Sequence, residues 1–181
     1  MQNQGAKTKE YKYAESLFSA LYIGAIFISL GVIYFIHLPN NLFIELVDFF
    51  EHLTLARVPD TGLFLPAPIS PASHVDLYTA VFQFFLVIAV IEVVILALRF
   101  VFNSPIKRKA ETISNIVFWF GVTYLIWTYL VDSATINKWF VFWIGVIIIF
   151  GLSLIARAFV LLAVRQPEQV KNSEGQVLPE N

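Results

Sequence analysis

The chain has 181 residues, of which 58% are hydrophobic and 14% charged. Soluble domains run at roughly 45–50% apolar and about 25% charged, so that balance excludes an ordinary water-solvated domain. The net charge of −1 excludes nucleic acid as a partner, and the absence of cysteine excludes disulfides, thiolate zinc sites and thiol redox chemistry.

The polar start, residues 1–16, carries Lys7, Lys9 and Lys12 ahead of an apolar run over 17–38. That run exceeds the roughly 7–15 residues of a cleavable signal core, and no small-residue cleavage site follows it, so it is expected to be a membrane-spanning helix. Ala20, Gly24 and Gly31 share one face and predict a close helix–helix contact. Pro39 ends this helix, and Asn40 or Asn41 offers a cap for the next.

Residues 41–56 are too short and too charged to span. Leu42, Leu46, Phe49, Phe50 and Leu53 form one side, with Glu45, Asp48 and His52 on another. This is the pattern of an amphipathic helix lying at an interface. Pro59, Pro66, Pro68 and Pro71 forbid regular helix through 58–71 and predict a Pro-rich loop folded over the bundle's outer end. Ser73 and Asp76 resemble a capping pair for a second span over 73–102.

Asn103-Ser104-Pro105 predicts a tight turn, with Ser104 as cap and Pro105 opening a third span over 105–131. Ser114, Gly121 and Thr128 repeat every seven residues along it. A short link leads to a fourth span over 136–164, antiparallel to the third, which Pro167 is expected to stop. The polar tail, 165–181, lacks aromatics and is expected to be disordered. The predicted fold is therefore an all-α membrane protein, a four-transmembrane-helix bundle with an extracytoplasmic amphipathic helix and Pro-rich loop.

With the N-terminus cytoplasmic, Lys7, Lys9, Lys12, Arg99, Lys107, Arg108, Lys109, Arg157, Arg165 and Lys171 lie inside. Only Arg57 and Lys138 lie outside. This bias predicts a multi-pass cell-membrane protein with both termini cytoplasmic.

Two groups of residues are candidates for chemistry. Glu92 and Arg157 are charged residues inside predicted spans, counted to similar depth from Arg99 and Arg165. Buried charges in lipid seek partners, so the two are expected to pair, with Ser153 and Asn115 in the same network. Such a pair fixes helix register or lines an ion or proton path; Gln83 is a further polar candidate. On the outer side, His37, His52 and His74, with Glu45, Asp48, Asp60 and Asp76, supply imidazole and carboxylate donors for a divalent metal. Their spacing matches no metal motif, and a charged stripe is ordinarily a solvated face, so no cofactor is expected.

Phosphate-loop, nucleophile-elbow and HExxH patterns are missing. The expected function is that of a structural or accessory membrane subunit, in contact with the lipid bilayer and with other membrane-protein subunits or copies of itself. The alternatives are a small oligomeric channel or transporter using Glu92 and Arg157, and a metal-binding module using His37, His52 and His74.

Overall fold

The computed structural model describes residues 2–38 and 41–174, with side chains over 15–38 and 41–163. Helix α1 runs Gln2–Ile36 and α2 runs Leu42–Glu51. Strands β1 (Leu53–Arg57) and β2 (Phe64–Pro68) and a 3-10 turn (Pro71–His74) lead into α3, Val75–Val101. Helix α4 (Ile106–Ile126) ends in a π turn, Trp127–Val131, and α5 runs Ile136–Glu174. The segments Glu15–Ile36, Pro71–Val101, Ile106–Val131 and Ile136–Ala163 are each long and apolar enough to cross a membrane.

Helices α3, α4 and α5 form an antiparallel series with α4 in the middle. One face of α4 meets α5: Glu111 reaches Arg157, Ser114 donates to the Ser153 carbonyl, and the Phe118 ring meets Phe150. Gly121 sits against Ile149, and Gly145 of α5 against Leu125. The neighbouring face meets α3: Thr112 bonds Arg99, Asn115 bonds Glu92, and Trp119 lies 5.0 Å from the Phe85 ring. Small residues let the backbones close where lipid supplies no hydrophobic drive. The expected stripe on the third span is therefore used at Ser114 and Gly121, while Thr128 falls in the π turn, where Asp132 N–H donates to the Trp127 carbonyl at 3.1 Å.

Helix α1 lies mainly along α3, at the edge, and reaches α4 through Glu15 and Arg108. Among its described side chains Phe18, Ser29 and Ile33 are buried. At 100° per residue Tyr22 belongs to the same face, and Ala20, Gly24 and Gly31 fall on the opposite one. No heavy atom lies within 4 Å of a Cβ built at Gly24 or Gly31. The small-residue face expected to pack inside the bundle therefore points away from it.

The interfacial helix ends five residues before its expected limit. Leu53–Arg57 forms β1, paired antiparallel with β2 in the register Leu53↔Pro68, Thr54↔Ala67, Leu55↔Pro66. Part of the expected Pro-rich loop is thus a strand. Ile69 N–H donates to the His52 carbonyl and Val58 N–H to that of Leu63, which puts the ladder bonds at alternate pairs. Pro66 and Pro68 stand at the pairs between, where no amide hydrogen is needed. The hairpin docks through the Pro66 carbonyl, which accepts from Trp139 Nε1 at 3.0 Å, with Ala67 and Pro68 buried beneath. Phe49 of α2 stacks edge-on against His74 and Tyr78 and tilts against Trp139.

Other helix ends also differ from expectation. Asn41 caps α2 in a left-handed conformation, φ 48°, through its carbonyl rather than its side chain. Ser73 donates to the Ser70 carbonyl instead of capping α3. Helix α4 starts one residue late: the Pro105 carbonyl accepts from Arg108 and Lys109, and the Ser104 hydroxyl turns to Glu15. Pro167 does not stop α5, which continues to Glu174. Arg165, Gln166, Glu168, Gln169 and Lys171 are good helix formers and carry the helix past a residue that costs about 3 kcal/mol. The expected disorder fails over 165–174, and the remaining tail, 175–181, lies outside the described residues.

Candidate functional site

One end of the bundle carries the bases that begin α4 and end α3; we call it the basic end, and the end covered by α2 and the hairpin the capped end. At the basic end a chain of acidic and basic side chains joins the four long helices. Glu15 of α1 pairs with Arg99 of α3 at 3.3 Å and with Arg108 of α4 at 3.8 Å. Arg108 pairs with Glu111 at 3.2 Å, and Glu111 with Arg157 of α5 at 3.1 Å. Glu15 and Arg99 are mostly buried, 14% and 13% exposed, whereas the Arg157 side chain is 37% exposed. Arg99 also donates to the Arg108 carbonyl at 2.6 Å and to the Thr112 hydroxyl.

Glu92 sits two turns deeper and is buried, 4% exposed. Asn115 Nδ2 donates to its Oε1 at 2.9 Å. The Tyr22 hydroxyl of α1 faces the same carboxylate and the Trp119 indole of α4. Phe18, Ser19, Tyr22, Glu92, Arg99 and Asn115 line a cleft of ≈ 130 Å³ in the groove between α1 and α4, floored by α3.

The expected pairing of Glu92 with Arg157 does not form. Arg157 is held by Glu111, one turn nearer the basic end than Asn115, a difference of roughly 6 Å along α4. Glu111 and Asn115 are one turn apart on α4, yet Glu111 turns to α5 and Asn115 to α3, so their partners sit on different helices. Counting depth from Arg165 misplaced Arg157, because α5 runs past that residue. The expected network of Glu92, Arg157, Ser153 and Asn115 is thus two: Glu92 with Asn115 on the α3 side, and Arg157 and Ser153 on the α5 side.

Glu15, Tyr22 and Thr112 escape the sequence reading, and Arg99 enters it only as a base at the inner boundary. A signal for them exists. Glu15 and Tyr22 are seven residues apart on α1, as Glu92 and Arg99 are on α3. Antiparallel packing with that shared interval brings both pairs together at once. At the other end of α1, His37 Nε2 meets Gln83 Oε1 of α3 at 3.1 Å.

The outer histidines do not converge. His37 is engaged by Gln83, while His52 and His74 flank Asp48 at 3.1 and 4.0 Å. Glu45 faces Asp76 and His37 instead. Among the described residues no three carboxylate or imidazole groups stand close enough to hold a metal, and His37, Glu45, Asp48, His52 and His74 are spread over separate contacts. Burial, and then the Asp76 charge, raise the Glu45 carboxyl above its usual range, and its Oε2 has no hydrogen-bond partner. Comparison with protein-family models, with curated proteins and with solved structures gives no match to this chain.

Proposed function

We propose that the chain is a multi-pass integral membrane protein, with both termini cytoplasmic, that serves as an accessory subunit. It acts by lateral helix contact with another membrane protein or a second copy of itself. The observation that supports this reading is the outward face of α1. Gly24 and Gly31 stand in open space, on the side turned away from Phe18 and Ile33. A small-residue face on a lipid-exposed helix lets a second helix approach closely.

The test is purification in mild detergent, with cross-linking of the intact membrane beforehand. A stoichiometric partner or a dimer is expected, lost in Gly24→Leu/Gly31→Leu while the folded bundle persists. A wild-type monomer without partner sinks the reading.

A second reading, a small channel or transporter, draws support from the polar cleft at Glu92. Arg157 drops out of that path, since Glu111 holds it on the other side of α4.

A further inference from the structure

We propose that the cleft between α1 and α4 is a water-binding site that carries exchangeable protons from the basic end of the bundle to Glu92. The inference deepens the second reading and rests on its cleft, not on the docking of α1.

Three observations carry it. The cleft measures ≈ 130 Å³, room for several waters, and its lining is half polar, so hydrocarbon is a poor occupant. Arg99 at its mouth has a buried Nε–H without any protein acceptor. Its Nη1 and Nη2 are already committed to Thr112, the Arg108 carbonyl and Glu15. A buried charged donor left unmatched is costly, and a water on the cleft side satisfies it. Lastly, Asn115, which holds Glu92, is itself exposed along the cleft, so the polar lining is open on one side.

Glu92 and Arg99 are seven residues apart on one helix, roughly 10 Å along its axis. A short file of waters bridges that distance where one cannot. The groups facing Glu92 are Tyr22 from α1, Arg99 from α3 and Asn115 from α4, with Trp119 beyond Tyr22 and with Glu15 and Arg108 behind Arg99. A proton arriving through the cleft is taken by the Glu92 carboxylate, which keeps the Asn115 bond, and the same proton leaves by the same file. The ligand is therefore water and the proton it delivers. A metal cation is disfavoured by the arginine in the same cleft.

Infrared difference spectroscopy of the full-length protein in lipid nanodiscs tests this, reading the Glu92 band on transfer to deuterated water and during a pH titration. Glu92→Gln identifies the band. Ser19→Leu fills the cleft from α1 without touching the carboxylate. The wild-type band is expected to shift within the mixing time and to titrate. In Ser19→Leu, exchange waits for local opening and slows by roughly tenfold or more. A wild-type band inert to deuterated water overturns the proposal, as does unchanged exchange in Ser19→Leu. A band that answers to sodium at fixed pH and not to pH also overturns it. Thermal unfolding followed by tryptophan fluorescence confirms that both variants remain folded.

Discussion

At the scale of single residues, the ion pairs at the basic end are unequal because their burial differs. Glu15 neutralises Arg99 where both are more than four-fifths buried, and Glu111 meets an arginine that is 37% exposed. Removing the acid from a buried pair strands a charge, at a cost of about 3–5 kcal/mol before relaxation. An exposed pair contributes about 0–1 kcal/mol. Glu15→Gln is therefore expected to lower the thermal midpoint in detergent clearly, and Glu111→Gln hardly at all; equal losses contradict the ranking. Glu45 gives a prediction with a sign. Its carboxyl is raised in the folded state by burial and by Asp76, so the folded form binds the proton more tightly than the unfolded one. Stability is then fullest below the unfolded carboxyl value and declines as pH rises through the folded one. Glu45→Gln should raise the midpoint at neutral pH and flatten its decline with pH. A variant whose pH curve parallels that of the wild type removes this account. Glu92 was legible because an acid inside an apolar run stands out. Its partners were not, since Asn115 and Tyr22 are unremarkable until the helix faces are known.

At the scale of elements, close packing rather than apolar burial separates the helices. A Cβ at Gly121 would lie 2.5 Å from Ile149 Cγ2 and 2.8 Å from its Cδ1. The β-branched Cγ2 is fixed near the backbone and cannot swing aside. Gly121→Ala gains about 1 kcal/mol of helix propensity but overpacks by about 1–3 kcal/mol, so a net loss is expected. The same change at Gly24 meets nothing within 4 Å and should stabilise an isolated chain. Thermal midpoints of the two variants in detergent check the contrast, and loss at Gly24 with none at Gly121 would reverse it. The four long helices were readable because twenty apolar residues have few other fates. The hairpin was not: four prolines argue against any regular element. Only the ladder register shows that Pro66 and Pro68 take positions with no donor to supply. Helix ends were misjudged where one side chain had two uses, as Ser104 does between capping and Glu15.

At the scale of the whole molecule, the proposed orientation draws its support from the placement of charge and aromatic residues. Arg99, Lys107, Arg108 and Lys109 cluster where α3 ends and α4 begins, and Arg157 joins them through Glu111. The opposite end holds Trp139 and Trp143, the hairpin and α2. Basic residues are retained on the cytoplasmic side of short loops, and tryptophans gather at headgroup level. The lack of native cysteine makes this directly measurable, because a single introduced thiol is the only one present. Lys107→Cys lies at the basic end and Ser133→Cys in the short α4–α5 link at the capped end; both positions are exposed. In intact cells a membrane-impermeant maleimide should label Ser133→Cys at once and Lys107→Cys only after permeabilisation. Labelling of both from outside means the two turns share one side, and the bundle does not cross the bilayer as drawn. Labelling of Lys107→Cys alone inverts the orientation, which places the mouth of the Glu92 cleft on the outer surface and makes external pH the variable that the carboxylate answers to.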